Sequence, residues 1–370
     1  MKKATLVLED GSRFDGVSVG RHGAVGGEVV FNTGMVGYPE CLTDPSYCGQ
    51  ILVTTYPLIG NYGVPCKCQD QYDLPQSFES PKMQVSGLVV SEMCHHYSHY
   101  TADRSLPAWL VDEGVPAIAE VDTRAITRLL REKGSMLGKI VIDGEDAEMI
   151  DPNVRNMAAQ VCVDEPVSYT VDKDAPTLVL IDCGVKANII RSLLKRGFNV
   201  VRVPHDHYFL NINYDGLVVS NGPGDPRTLT TTIKNVERAL AVGKPTLGIC
   251  MGIQILALAV GADTYKLKFG HRGHNQPCIE LMEPVGKADP EPGRCYITSQ
   301  NHGYAIRGDS LPGDWRVWFV NANDQTVAGI KHVSRPVSAV QFHPEATPGP
   351  RDTDWIFDDF AKQVKSCCHQ

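Results

Sequence analysis

From Thr177 onward, short apolar strands alternate with amphipathic helices, and this alternation restricts the possible folds more than any other feature of the chain. The order reads strand TLVLID, helix KANIIRSLLKRG closing on Gly197, strand NVVRVP, strand YDGLVVSN, helix TIKNVERALAVG, strand PTLGIC and helix MGIQILALAV. Several of the strands are apolar at every position, as strands of a parallel sheet buried under helices on both faces must be. The expected fold class is therefore α/β, with a doubly wound C-terminal domain over residues 176–370. Active sites in such sheets lie in the loops at the carboxyl ends of the strands.

The chain has 370 residues, more than one hydrophobic core usually organises, so a second domain is expected ahead of this one. Residues 1–150 mix both signals. TLVLEDGSRF reads as a strand entering an Asp10-Gly11 turn, QVSGLVV from Gln84 as a buried strand, and SMLGKIVI as a further strand. DTRAITRLLREKG from Asp122 places Ala125, Ile126, Leu129 and Leu130 on one helical face, with Gly134 as the stop. Residues 151–175 turn acidic and polar and read as a linker or an irregular surface segment.

Charge and hydropathy exclude some partners. The formal charge is −8, and no Lys/Arg block tracks a phosphate backbone, so nucleic acid is not expected. The longest apolar runs, such as Ile255 to Val260, fall far short of the roughly 20 residues a membrane span needs. The opening MKKATLVLEDG is interrupted by Glu9 and Asp10 before it reaches signal-peptide length. A cytoplasmic protein is expected. Its 12 cysteines then read as free thiols in a reducing compartment. Cys66 and Cys68 flank one lysine and Cys94 precedes His95 and His96, yet no second pair at zinc-site spacing completes a tetrahedral shell, so no metal is expected.

Three loops carry the chemistry. GICMGIQ from Gly248 joins a buried strand to a helix with the spacing Gly-X-Cys-X-Gly, the thiol counterpart of a nucleophile elbow. Cys250 then stands at a helix N-terminus, where unpaired amides and the helix dipole favour negative charge on sulfur. The competing reading is a buried structural cysteine beside two packing glycines. SNGPGDP from Ser220 is a glycine-rich turn after a strand. It lacks a Walker lysine and does not match GxGxxG, so either a weak mononucleotide site or an oxyanion-binding turn is open. VSAVQFHPEA ends a strand pattern in His343, Pro344 and Glu345. Residues two apart on an extended chain point the same way, so Glu345 can orient His343 while His343 exchanges protons near neutral pH. A packed or solvated histidine is the alternative.

Together the three loops resemble the class I glutamine amidotransferases, whose elbow cysteine and His-Pro-Glu motif form a Cys-His-Glu triad. By that resemblance Cys250 attacks the side-chain carboxamide of L-glutamine, His343 protonates departing ammonia and then activates water, and Glu345 orients the imidazole. A glutamyl thioester is implied. Three further segments, GEVVFNTGMVGYPECLTDPSYCGQILVTTYPLIGNYGV, EVDTRAITRLLREKGSMLGKI and TSQNHGYAI, look like the small subunit, or glutaminase region, of glutamine-dependent carbamoyl-phosphate synthetase. The likeness covers nearly the whole chain. It implies glutamine contacts at Ser46, Gly222, Gly224, Met251, Gln254, Asn301, Gly303 and Tyr304, with Ser46 reaching from the first domain and oxyanion amides at Met251 and Gly222. From the residues alone, Ser46 and Asn301 read equally as turn-formers bonding their own backbone.

The resemblance implies that ammonia passes to a carbamoyl-phosphate synthetase large subunit or fused synthetase region. ATP and magnesium would bind only there, and no cofactor is expected in this chain. One departure stands out at the elbow, which in this family more often reads GICLGHQ: Ile253 replaces histidine, while Met251 for leucine is conservative. Two rival functions follow from the residues: a regulatory module that binds glutamine without cleaving it, and a cysteine hydrolase acting on another amide.

Overall fold

A computed structural model describes residues 2–281 and 293–368. The chain divides into two compact units, one of Met1–Met157 with Lys268–Arg272 and one of Ala158–Leu267 with Gly273–Gln370.

In the first unit the strands close into a barrel in the order Lys3–Leu8, Met136–Ile142, Val25–Asn32, Gln50–Thr54, Gly87–Val89, Ala117–Ala119 and Arg13–Ser18. The first hairpin forms where the sequence predicts it. Lys3 pairs with Val17 and Val7 with Arg13, and the Asp10 carboxylate accepts the Ser12 amide hydrogen at 2.9 Å to set the turn. Met136–Ile142 alternates buried and half-buried residues, the period-2 pattern of a strand with one face toward a core. The barrel's three parallel pairings lie among Val25–Asn32, Gln50–Thr54, Gly87–Val89 and Ala117–Ala119. Helix Thr123–Lys133 starts at Asp122, whose side chain accepts from the Ala125 amide at 2.8 Å, and ends before Gly134 at φ 109°. Its Ile126 and Leu130 are fully buried in the barrel's apolar cluster with Val29, Ile51 and Ile140. Each such side chain contributes roughly 1.5–3 kcal/mol.

The cysteine expectation needs one correction in this unit, because Cys66 and Cys68 are joined as a disulfide. The remaining ten cysteines are free. Two thiols separated by one residue can reach each other with little rearrangement of the chain, a local geometry that compartment-level reasoning ignores.

The second unit is built on a ten-stranded sheet. Its centre is the parallel array expected from the sequence, with Thr177–Asp182 between Asn199–Pro204 and Gly216–Val219, followed by Thr246–Ile249 and Val337–Val340. Gly216–Val219, Thr246–Ile249 and Val337–Val340 are buried along their whole length, as strands covered on both faces must be. Helices Ala187–Lys195, Thr230–Val242, Met251–Ala259 and Trp355–Cys368 accompany them.

Two features differ from the sequence reading. The sheet continues through Val327–His332, Trp315–Asn321, Thr264–Glu280 and Cys295–Ile306; Val327–His332 pairs antiparallel with Val337–Val340 and with Trp315–Asn321, and Trp315–Asn321 antiparallel with Thr264–Glu280. Helix–strand alternation stops after Val260, so a reading keyed to alternation misses this half. The stretch read as a linker, 151–175, contributes strand Val167–Tyr169, which pairs antiparallel with Asn199–Pro204 at the edge of the sheet. An edge strand buries little, so a polar composition suits it.

Candidate active site

Strand Thr246–Ile249 leads directly into helix Met251–Ala259, and Cys250 is the single residue between them. It adopts φ 55° and ψ −102°, a conformation that side-chain-bearing residues rarely take, so the surrounding structure must enforce it. Gly252 shows how. A Cβ there would lie 2.1 Å from the Val219 carbonyl oxygen, so only glycine lets the helix start press against the neighbouring strand. Cys250 is 2% exposed, and its Sγ donates to the Asn301 carbonyl at 3.6 Å.

His343 and Glu345 follow strand Val337–Val340, which ends three residues before the imidazole. The pair meets in a loop rather than along an extended strand, and the contact is closer than alternation alone would require. His343 Nδ1 lies 2.6 Å from Glu345 Oε1, both residues being buried. Pairing through Nδ1 leaves Nε2 as the ring nitrogen that Glu345 does not engage. Nε2 is buried without a well-aligned hydrogen bond among the described residues, and Cys250 is a neighbour that acts on it. Burial disfavours the imidazolium, but the Glu345 carboxylate and Cys250 outweigh it and hold the His343 pKa well above the ordinary imidazole value.

Sequence reasoning missed Lys186. Its ammonium is buried, 3.0 Å from Glu345 Oε1, and donates to the Ala346 carbonyl at 2.6 Å. Burial alone would raise the Glu345 pKa; Lys186 first and His343 second reverse that and keep it ionised well below the usual carboxylate range. Lys186 lies at the N-terminal boundary of helix Ala187–Lys195. The signal was present in the sequence as a lysine beside an apolar strand end, but such a residue reads as a surface charge until its burial is known.

The other predicted contacts fall in four places. Gly222 and Gly224 lie in the loop after strand Gly216–Val219, and a Cβ on Gly222 would lie 2.1 Å from the Cys183 carbonyl oxygen. Asn301, Gly303 and Tyr304 lie on strand Cys295–Ile306, and Gln254 lies on the elbow helix. The Gln254 amide nitrogen donates to the Tyr304 carbonyl at 2.9 Å and to Gln341 Oε1 at 3.1 Å, so its donors already tie the helix to strand Cys295–Ile306 and to the residue just past strand Val337–Val340. The Gln341 amide in turn donates to the Cys250 carbonyl at 3.4 Å. Ser46 belongs to the first unit, in the short 3-10 turn Pro45–Tyr47, where its amide donates to the Asp44 carboxylate at 2.9 Å. Ile253 is fully buried in an apolar cluster with Val219, Ile255 and Leu256, so the departure from histidine removes a polar group from the core. Among the described residues, no group of three or more His, Cys, Asp or Glu side chains is placed to hold a metal ion.

Residues 6–140 match the family description "Carbamoyl-phosphate synthase small chain, CPSase domain", and residues 179–363 match "Glutamine amidotransferase class-I". The arginine-specific small chain of carbamoyl phosphate synthase from Schizosaccharomyces pombe is 48% identical over 98% of this chain and 87% of its own length. The chain belongs to the carbamoyl phosphate synthase small-chain family.

The counterpart from Saccharomyces cerevisiae is 47% identical over 98% of this chain and 89% of its own length. A multifunctional protein named CAD, from Squalus acanthias, is 50% identical over 98% of this chain, but the chain spans 16% of that protein. The family thus occurs both as small chains of similar size and as one part of a much longer polypeptide.

Proposed function

We propose that this chain hydrolyses L-glutamine to L-glutamate and ammonia and supplies the ammonia to a carbamoyl-phosphate synthetase. The observation that carries the proposal is Cys250 held in a strained elbow beside a buried imidazole whose other nitrogen is 2.6 Å from Glu345. In this reading Cys250 Sγ attacks the side-chain carboxamide carbon, and the oxyanion is met by the amides of Met251 and Gly222. His343 Nε2 then gives a proton to nitrogen, ammonia leaves, and a γ-glutamyl thioester remains on sulfur. Water, deprotonated by the same nitrogen, attacks the thioester, releasing glutamate and regenerating the thiol. Glu345 holds the ring in orientation and stabilises its charged form.

Gly224, Gln254, Asn301, Gly303 and Tyr304 are proposed to hold the amino acid's remaining groups. The synthetase, as a separate large subunit or a fused region, would bind ATP and magnesium. We assign the glutaminase chemistry to residues 176–370 and place the protein in the cytoplasm; among the described residues, no helix is long and apolar enough to cross a membrane. The names of two small-chain relatives support arginine synthesis as one destination for the product.

The direct test is glutamate release from glutamine by the chain and by Cys250→Ser, each with and without a synthetase subunit. Turnover by the native chain and none by the variant is expected. Equal rates in the two proteins would remove Cys250 from the mechanism, and no turnover by the native chain even with its partner would favour a module that binds without cleaving.

A further inference from the structure

The loop that presents His343 and Glu345 is clasped by a side chain outside the triad. Asn188, in the first turn of helix Ala187–Lys195, donates through Nδ2 to the Glu345 carbonyl and to Thr347 Oγ1, each at 2.5 Å. Thr347 Oγ1 donates in turn to the same Glu345 carbonyl at 3.1 Å. An amide nitrogen carries two hydrogens and a hydroxyl one, so the three contacts form a consistent ring of donors and acceptors. The orientation of the amide is fixed from its other end as well, because Arg191 Nε donates to Asn188 Oδ1 at 3.2 Å. Turning the amide over would set its oxygen against the Glu345 carbonyl and its nitrogen against a guanidinium.

The backbone inside this clasp is strained. Ala346 and Thr347 have φ of 56° and 51°, and neither is glycine. Two successive residues in the left-handed region persist only where their surroundings hold them. Asn188 bonds both sides of that turn, while Lys186 bonds the carbonyl of Ala346 between them.

We infer that Asn188 is a positioning residue: by fixing the turn Glu345–Ala346–Thr347 it keeps the Glu345 carboxylate at its 2.6 Å contact with His343 Nδ1. This deepens the glutaminase reading and rests on it. Lys186 and Asn188 divide the task. The ammonium sets the charge of Glu345, whereas the amide sets where the carboxylate stands. A carboxylate that drifts from the imidazole no longer favours the protonated ring. The groups acting on His343 are Glu345, Cys250 and Lys186, of which Lys186 opposes its protonation. His274, which also feels Lys186, is pushed down to about 4 by burial and that lysine, so it adds no charge near neutral pH.

The test uses the full chain with Asn188→Ala, and with Asn188→Leu, which keeps roughly the size of the side chain and removes the donor without adding charge. Glutaminase kcat and KM are measured against pH, together with thermal unfolding. Alkylation of Cys250 by iodoacetamide is followed against pH by mass spectrometry of the peptide that contains it. The expected result for folded variants is a kcat lowered roughly 10- to 100-fold with KM changed less than about two-fold. The basic limb of the kcat profile should move down by about one pH unit, and the alkylation profile should differ from that of the native chain. Wild-type kcat with unshifted profiles would overturn the inference, as would loss of the cooperative unfolding transition in both variants, which would make Asn188 a structural residue only. A native chain without glutaminase activity would sink the proposed function, and the alkylation profiles would still show whether Asn188 governs His343.

Discussion

The Cys250 elbow and the His343–Glu345 loop solve the same problem by opposite means. Both force residues other than glycine to positive φ, Cys250 at 55° in one and Ala346 and Thr347 at 56° and 51° in the other. At the elbow the constraint is shape: Gly252 sits against Val219, and Ile253, Ile255 and Leu256 fill the apolar core behind it. In the loop the constraint is polar, with Lys186, Asn188 and the His343–Glu345 pair gripping carbonyls and a carboxylate. In the proposed mechanism the nucleophile must be held still, whereas the acid–base pair must respond to protons.

That contrast predicts how each part fails with pH. Glu345 has a folded pKa below its ordinary value of 4.5, so its contribution to stability is complete above that value and is lost as the pH falls through the folded one. His343 has a folded pKa above 6.5, so its contribution is complete below 6.5 and is lost as the pH rises toward about 10. The loop should be firmest between about 4.5 and 6.5. The shape constraint at the elbow, set by Gly252, Ile253, Ile255 and Leu256, involves no titratable group.

Four substitutions sharpen the comparison. Glu345→Gln should have the largest effect, lowering kcat roughly 10²- to 10⁴-fold. Its basic limb should move to lower pH because the charge favouring the imidazolium is gone, and a pH–rate series reads both changes. Gly252→Ala should impair the elbow without touching the loop. Its new Cβ meets the Val219 carbonyl, so a stability loss of about 1–3 kcal/mol in denaturant titration is expected, together with a kcat loss of roughly 100-fold and an unshifted pH profile. A shifted profile would erase the distinction between the two regions. Lys186→Met should cost about 3–5 kcal/mol of stability by leaving Glu345 short of its buried cation, with a smaller loss of kcat than Glu345→Gln because His343 keeps its partner. Ile253→His should be the mildest for catalysis. It should lower stability by about 1–3 kcal/mol, the cost of burying an imidazole in an apolar cluster, and leave kcat within about three-fold of the native chain.

The two regions also differed in how far the sequence revealed them. The elbow was legible because its constraint is local: glycines two residues on either side of a cysteine, between an apolar strand and a helix, imply a sharp turn. His343 and Glu345 were legible as a motif, and their contact was anticipated, although the structure brings them together in a loop beyond the end of strand Val337–Val340. Lys186 and Asn188 were not legible, since each lies some 160 residues from the loop it holds. No local pattern encodes such a contact. The same reasoning separates the parallel core of the second unit, whose strands and helices announce themselves by periodicity, from its antiparallel half and from the edge strand Val167–Tyr169. Edge pairing is decided by the neighbour, Asn199–Pro204, more than by the strand's own residues.

The central claim is that Cys250 forms a bond to the γ-carbonyl carbon of glutamine. The most direct measurement exposes the chain to a γ-glutamyl electrophile and maps the adduct by peptide mass spectrometry, with glutamine as competitor. A single adduct on the peptide containing Cys250, formed more slowly in the presence of glutamine and absent from Cys250→Ser, is the predicted result. An adduct on any other cysteine, or one at Cys250 that forms as readily with unrelated acyl electrophiles and ignores glutamine, would contradict the account.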